Sequence, residues 1–177
     1  MTESAFPPFV RDAGEADIPA IRALADRTWR ACYPGIISHE QIDYMLARMY
    51  APEKIAAEML RHEAVYLLVS PANSPGGEPA GFAAFGPGEE PGAVLLHKLY
   101  IDPAHQRRGL GRHLLAEIET RARARAAERI VLRVNRHNRH AIAAYLRAGF
   151  RVDRDDRADI GGGFAMDDHI MIKAIGG

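Results

Sequence analysis

The segment from Ala93 to Ala122 restricts the fold most strongly, because three local signals follow one another in it. The apolar residues of Ala93–Ile101 predict a buried strand, and Pro103 ends its pairing. The turn Gln106-Arg107-Arg108-Gly109-Leu110-Gly111 follows, and its glycines permit a tight backbone. An amphipathic helix then begins, with apolar residues on one face at Leu110, Leu114, Leu115, Ile118 and Ala122. This order brings backbone N–H groups together at a helix N-terminus, which suits an anion.

The anion that fits this turn is a pyrophosphate. Arg107, Arg108 and Arg112 add positive charge beside the turn. The turn is too short for a Walker A loop, has no Gly-Lys-Ser/Thr and lacks the G-x-G-x-x-G spacing of a dinucleotide fold. A pyrophosphate on a different cofactor is therefore the better fit. The alternative is a plain glycine-containing connection before a helix.

The rest of the chain predicts further strands and helices in a mixed order. Helices are predicted to begin near Asp17, Ser38 and Pro52, since aspartate and serine favour the N-cap position and proline favours the first helical turn. Strands are predicted at 9–11, 65–69, 80–85 and 130–134, from 150, and at 164–172, with a helix at 138–148. This pattern predicts an α/β (α+β) fold, a mixed sheet with helices on both faces. Residues 1–177 form one expected domain with a core at about 9–172.

Composition excludes several classes of function. Lysine and arginine number 23, aspartate and glutamate also number 23, and the formal net charge is 0. Bulk attraction to nucleic acid or to an anionic membrane is therefore not expected. No apolar run is long enough to span a bilayer, and Met1–Pro8 does not resemble a signal peptide. The lone Cys32 forms no internal disulfide, which favours a cytoplasmic location.

A second motif, Asn138 to Phe150, gives the anion site a family context. Asn138 would cap a helix on which Ala141, Ile142 and Tyr145 share one face. Together with the Gln106 turn, the segment resembles the hallmark motifs of the GCN5-related N-acetyltransferase (GNAT) superfamily, Gln/Arg-x-x-Gly-x-Gly/Ala and Asn-x-x-Ala-x-x-x-Tyr-x-x-x-Gly-Phe. The resemblance implies the GNAT fold, whose mixed and mostly antiparallel central sheet has roughly seven strands with helices on both faces.

The resemblance also implies roles for individual residues, with acetyl-CoA as co-substrate and no metal. Asn138 would contact the cofactor. Tyr145 would lie near the sulfur of CoA and donate a proton to the leaving thiolate, although a core aromatic is its alternative role. The pantetheine arm would bind along Leu99, Tyr100 and Ile101. The pyrophosphate would bind at Gln106, Arg107, Arg108, Gly109, Leu110, Gly111 and Arg112.

The general base is left open by the sequence. Many members of the superfamily have a glutamate on one of two strands, and the corresponding positions here are Leu95 and Arg133. His97 is the candidate that we favour, because a histidine titrates near neutral pH. A structural role for His97, His169 as the base, and a chain of water molecules are the alternatives.

The acceptor would meet two segments, Trp29 to Ile37 and Asp159 to Ile172. Trp29 and Tyr33 are candidate walls of an acceptor cleft, and a core position is the alternative for Trp29. Asp167 and Asp168 would hold a cationic amine, unless they belong to a solvated charged loop. This part of the chain is similar to bacterial PaiA-like polyamine acetyltransferases, which favours a small cationic amine or polyamine as acceptor.

The predicted function is direct transfer of an acetyl group from acetyl-CoA to a primary amine. Two alternatives stay open, namely a protein or peptide N-terminal acetyltransferase and a non-catalytic sensor that binds acyl-CoA. Dimers are common in the superfamily, so a homodimer is compatible with the sequence, but no residue pattern marks an interface.

Overall fold

A computed structural model describes residues 7–72 and 76–176, and within them strands and helices alternate as a mixed fold. The strands are β1 (Phe9–Asp12), β2 (Val65–Ser70), β3 (Gly81–Pro87), β4 (Ala93–Ile101), β5 (Arg129–Asn135), β6 (Arg151–Gly161) and β7 (Phe164–Ala174). The helices are α1 (Ile18–Cys32), α2 (His39–Met49), α3 (Pro52–Leu60), α4 (Leu110–Ala124) and α5 (Arg139–Arg147). Short 3-10 turns at Glu15–Asp17 and Pro103–His105 precede α1 and follow β4.

The seven strands form one sheet in the order β1-β2-β3-β4-β5-β7-β6. Only the central pair β4–β5 is parallel, and the other neighbouring strands are antiparallel. The mixed, mostly antiparallel sheet with helices on both faces is thus confirmed. The bounds predicted for β4 are also confirmed, because its apolar run ends at Pro103 and the following glycine turn.

Two apolar cores lie on opposite faces of this sheet. The first joins β4 and β5 to α4 and α5, with Leu114, Ile118 and Leu132 almost fully buried. The second joins the sheet to α1, α2 and α3, and buries Ile21, Ile42 and Ile55 among others. Each such side chain contributes roughly 1.5–3 kcal/mol through removal of apolar surface from water.

Strand β4 departs from regular pairing at His97. On its β3 side, Lys98 lies opposite Ala84 and Leu96 lies opposite Phe85, so His97 is the extra residue of a β-bulge. On its β5 side, the pairing ends at Leu96 and Leu132. The two central strands therefore separate beyond this point, and the end of β4 keeps a strand partner on one side only.

The starts of two helices differ in part from prediction. Ser38 caps α2 as expected, since its hydroxyl accepts a hydrogen bond from Gln41 N. Asp17 precedes α1 but does not cap it. Its carboxylate instead accepts hydrogen bonds from Arg11 at 2.8 Å and from the backbone of Gly14 at 2.9 Å. Because Arg11 of β1 binds the carboxylate of Asp17, that side chain does not cap the first amides of α1.

A buried ion pair connects helix α3 to strand β4 directly after the bulge. Lys98 Nζ lies 3.3 Å from Glu58 Oε2 and donates to the Tyr66 hydroxyl at 2.7 Å. Tyr66 in turn donates to Glu58 Oε2 at 2.6 Å. The rings of Tyr66 and Tyr50 lie 5.1 and 5.6 Å from Lys98 Nζ, within cation–π range. Burial lowers the pKa of Lys98, and Glu58 opposes that effect.

We expect Glu58→Gln to destabilise the protein by about 3 kcal/mol, because the change leaves the ammonium of Lys98 without its counter-charge in a buried environment. Urea unfolding at neutral pH measures this loss. Glu53→Gln, an exposed position on the same helix, is the matched control and is expected to cost under roughly 0.5 kcal/mol. Equal losses in the two variants would show that the buried pair adds nothing to stability.

Candidate active site

The turn between β4 and α4 forms a cradle of backbone amides. Arg107 and Gly109 have φ angles of 62° and 78°, so the chain bends sharply twice before the helix. His113 N donates to Gly109 O and makes the first hydrogen bond of the helix. The amides of Leu110, Gly111 and Arg112 precede that bond and have no acceptor within the helix. They are therefore free to bind an anion at the positive end of the helix dipole.

The side chains of the turn divide into two groups. Arg107, Arg108 and Arg112 are exposed and place their charge around the cradle. Gln106 points back to the fold, where its amide donates to Ile101 O at 3.2 Å. Gln106 thus ties the turn to β4, and the three exposed arginines add positive charge around the cradle.

A cavity opens where β4 and β5 separate. It is lined by both strands and by residues from α5 and the end of α1, namely Tyr33, Leu96, His97, Lys98, Leu99, Tyr100, Leu132, Arg133, Val134, Asn138, Ala141 and Tyr145. Six residues predicted from the sequence meet here: Tyr33, His97, Leu99, Tyr100, Asn138 and Tyr145. The unpaired edge of β4 in this cavity offers backbone groups to an extended ligand, as a neighbouring strand would.

Helix α5 places Asn138 and Tyr145 on the same side of the cavity. Asn138 Oδ1 accepts from Ala141 N at 3.2 Å and caps the helix, which leaves the side-chain NH2 group for another partner. Tyr145 packs against Phe150 with ring centroids 5.6 Å apart. Burial raises the pKa of the Tyr145 phenol above its ordinary value. The hydroxyl thus keeps its proton at neutral pH and is suited to donate it.

Tyr33 lies across the cavity from α5, with Trp29 behind it. The Tyr33 and Tyr100 hydroxyl oxygens are 3.5 Å apart, and burial raises the pKa of both phenols. Trp29 stacks on Tyr33 with centroids 4.5 Å apart and is only 1 % exposed. The prediction of Trp29 as a wall of the acceptor cleft is therefore corrected: its large apolar ring belongs to the core and supports Tyr33.

His97 reaches the cavity at the bulge, but its ring leans towards β3. A methyl group built on Gly86 of β3 would lie 3.2 Å from His97 Nε2. Partial burial and the charge of Lys98 lower the pKa of His97. The imidazole is thus neutral at physiological pH, as a base requires, and His97 lines the cavity with Nε2 near β3. Its role as base stays a prediction.

The two adjacent carboxylates of β7 point to opposite faces of the sheet, because successive side chains of a strand alternate. Asp167 lies 3.5 Å from Arg136 and 3.8 Å from His137, and does not line the cavity. Asp168 is 4 % exposed, and no described group forms a hydrogen bond with its Oδ1 atom. Burial raises its pKa to about 6. Neither carboxylate lines the cavity, and the prediction that both residues hold the acceptor stays a prediction; Asp168 differs from Asp167 in having a buried oxygen without a partner in the described residues.

Sequence reasoning did not find the role of Arg133 in this cavity. Arg133 entered the sequence analysis only as a position without the expected glutamate, yet it lines the cavity and pairs with Asp156 of β6. The alternation of apolar and charged residues along β5 was the available signal, because Arg133 falls between the buried Leu132 and Val134. Only the sheet order shows that Asp156 and Asp168 lie next to it.

The described residues contain neither a cluster of metal-ligating side chains nor a helix that could span a membrane. Within residues 7–72 and 76–176, no group of three or more His, Cys, Asp or Glu side chains is placed to hold a metal ion. In the same residues no helix has the length and apolar character needed to cross a bilayer.

The fold and the amide cradle beside the opened strands define an acyltransferase that draws its acyl group from CoA. The chain belongs to the acetyltransferase (GNAT) family, whose model matches residues 19–150. Enzymes of this family use acetyl-CoA, and the cradle and the unpaired edge of β4 fit the pyrophosphate and the pantetheine arm of that donor.

Similar proteins include polyamine and protein acetyltransferases. The chain is 26% identical over 153 residues to spermidine N(1)-acetyltransferase of Thermoplasma acidophilum, which covers 85% of this chain and 92% of the relative. The crystal structure of the PaiA N-acetyltransferase of that organism with coenzyme A matches with a TM-score of 0.80 at 24% identity, over 95% of this chain and 99% of that one. The ribosomal-protein-S18-alanine N-acetyltransferase of Escherichia coli matches with a TM-score of 0.70 at 20% identity, over 97% and 96%.

We expect Gly111→Val to raise the dissociation constant for CoA at least about tenfold while the melting temperature stays within roughly 3 °C. A Cβ at Gly111 would sit 3.7 Å from Leu99 and Ile101 without strain, so the added carbons fill the space between the cradle and β4. Gly109 is a poorer choice, because its φ of 78° would strain any other residue.

Isothermal calorimetry with CoA measures the effect of Gly111→Val. Gly14→Val is the matched control, because Gly14 lies before α1 in extended backbone with nothing within 4 Å of a built Cβ. Equal affinity of the parent, the control and Gly111→Val for CoA would remove this turn from the donor site.

Proposed function

We propose that this N-acetyltransferase transfers the acetyl group directly to a primary amine of a small cationic acceptor of the polyamine class. The observation that carries the proposal is Asp168, a buried carboxylate whose Oδ1 has no partner in the described protein. An ammonium group is the ligand that such a carboxylate binds best, because a charge-assisted hydrogen bond compensates for burial. The similarity to a spermidine N(1)-acetyltransferase supports the same class of acceptor.

The donor is held by residues on the α4 and α5 side of the sheet. The amides at the start of α4 bind the pyrophosphate, and the unpaired edge of β4 binds the pantetheine arm. The thioester then lies in the opening between β4 and β5, with Tyr145 on the same side. Backbone N–H groups of β4 polarise the thioester carbonyl, and Tyr145 protonates the departing thiolate.

The acceptor approaches from the other face, which carries α1 and α2. Tyr33, Arg133 and Asp168 belong to that face, as do the aromatic residues packed behind Tyr33. On this face Asp168 lies beside the ion pair of Arg133 with Asp156, and no counter-charge binds its Oδ1 atom in the described residues. The negative charge of an ionised Asp168 attracts a polycation and disfavours an anionic acceptor.

The acceptor class is tested by a thiol-release assay with acetyl-CoA and a panel of amines. We expect kcat/KM for spermidine or putrescine to exceed that for peptides with N-terminal alanine by at least about tenfold, because the peptides carry less positive charge into the acidic face. A preference for peptides would assign the chain to N-terminal acetylation. Binding of CoA without turnover of any amine would assign it to acyl-CoA sensing.

We expect Tyr145→Phe to lower kcat by roughly 100-fold, because the variant lacks the proton donor for the thiolate, while the dissociation constant for CoA changes less than about twofold. Thiol release and calorimetry measure the two quantities. Tyr50→Phe is the control, since the buried Tyr50 hydroxyl has no hydrogen-bond partner among the described residues and Tyr50 does not line the cavity. Unchanged turnover in Tyr145→Phe would exclude the phenol from the reaction, and loss of CoA affinity would indicate a purely structural ring.

A further inference from the structure

We infer that Asp168 is the general base of the reaction and takes a proton from the ammonium group of the acceptor before attack. This inference rests on the proposed function and goes beyond binding, because it assigns Asp168 a step in the chemistry. Its basis is the location of the carboxylate, its free oxygen and the position of Tyr145 on the opposite face of the sheet.

The strand register places Asp168 beside the opening. Asp168 lies opposite Asn135 on β5 and opposite Asp156 on β6. Because side chains alternate along a strand, Asp168 shares its face with Met166, which packs with the core of α1 and α2. Arg133 lines the cavity on that same face, and the charge of Asp168 acts on the Tyr33 phenol. Asp168 does not itself line the cavity, so an ammonium group would reach its carboxylate past Tyr33 and Arg133, which do.

Tyr145 lies on the other side of the opening, in the core that contains α4 and α5. A thioester between β4 and β5 is thus exposed to a proton donor on one face and to a carboxylate on the other. Attack on a carbonyl carbon and departure of sulfur take place on different sides of that carbon. The two protein groups are therefore placed for the two proton transfers that aminolysis of a thioester requires.

The proton balance of the step is complete with these two groups. The ammonium gives one proton to the Asp168 carboxylate, and the neutral nitrogen then forms a bond to the carbonyl carbon. The carbon–sulfur bond breaks, and Tyr145 gives its proton to the thiolate. The second proton lost by the nitrogen restores Tyr145, and Asp168 releases its proton to solvent after the product leaves. Amide, CoA thiol and one proton are the products.

The charged surroundings keep Asp168 basic enough to accept a proton. Arg133, Asp156 and Tyr33 lie on the same face as Asp168, and Asp167 and His169 are its neighbours along β7; the charges of all but Tyr33 act on its pKa. Burial is the main cause of the raised pKa, Arg133 and His169 lower it, and Asp156 and Asp167 raise it. Arg133 forms its ion pair with Asp156, so it lowers the pKa of Asp168 through its charge and does not form a hydrogen bond with Oδ1 of Asp168.

His97 is the rival for this role, and it lines the cavity directly. Its Nε2 lies near Gly86 of β3, whereas Asp168 is buried with an oxygen that has no partner among the described residues. The pKa of His97 is lowered by burial and by Lys98, whereas that of Asp168 is raised to about 6. A carboxylate raised towards neutral pH is as strong a base as an ordinary histidine.

The first experiment titrates the carboxyl carbon of Asp168 by NMR in the free protein, with the signal assigned by its loss in Asp168→Asn. We expect a midpoint near pH 6 and a shift to lower pH in Asp156→Asn, because the freed Arg133 then approaches Asp168. This readout needs no acceptor. A midpoint in the ordinary range of aspartate, near pH 4, would overturn the assignment.

The second experiment measures kcat/KM for putrescine against pH, because this ratio reports the pKa values of the free enzyme. In the parent kcat/KM is expected to rise as pH increases through about 6, since the ionised carboxylate is the active form. Asp168→Asn is expected to lower kcat roughly 100-fold and to abolish this limb of the profile. Asp153→Asn, an acidic position paired with Arg154 on β6, is the control and should keep the parent profile.

A less basic acceptor separates proton transfer from binding. In 2,2-difluoroputrescine the amine beside the fluorines is largely neutral near pH 7.5, so the loss caused by Asp168→Asn should be much smaller than with putrescine. A higher KM with unchanged kcat and pH profile would make Asp168 an anchor only and would leave the proposed function intact. Failure of the parent to acetylate any cationic amine, although it binds CoA, would overturn both.

Discussion

The parallel pairing between β4 and β5 stops after Leu96 and Leu132, and the active site depends on that stop. Each of the two strands keeps an antiparallel neighbour on its outer side, β3 for one and β7 for the other, so the sheet opens without losing its order. The backbone groups that face the opening lack strand partners. A ligand with amide groups along its length can supply those partners. Backbone groups that remain unpaired after folding therefore contribute to the affinity for such a donor.

Local signals in the sequence predicted the fold around the cradle well. The apolar run of β4, the glycine turn and the amphipathic stripe of α4 each depend on residues close together in the chain, and the bounds of β4 agree with the structure. Asn138 caps α5 as its position suggests. The cradle combines a strand end and a helix start, so its formation follows from sequence once both elements are recognised.

The acceptor side was less predictable, because it depends on contacts between distant segments. Asp167 and Asp168 are adjacent in the sequence, but their side chains lie on opposite faces of β7. Only the register with β5 and β6 shows which one is buried. Tryptophan is a residue type suited to ligand binding, yet Trp29 lies in the core, because its face of α1 is turned towards the sheet. The bulge at His97 leaves no local signal, since it arises from pairing with β3.

An opening through the middle of the sheet gives the protein two faces that are built by different elements. Residues that hold the donor come from α4, α5 and the end of β4, whereas the opposite face is built by α1, α2 and the β6–β7 hairpin. Tyr44 and Arg48 tie the tip of that hairpin to α2 through the carbonyl oxygen of Ile160. Substitutions there can reshape the acceptor side without disturbing the donor side, so a lineage is free to change what it acetylates while it keeps its source of acetyl groups.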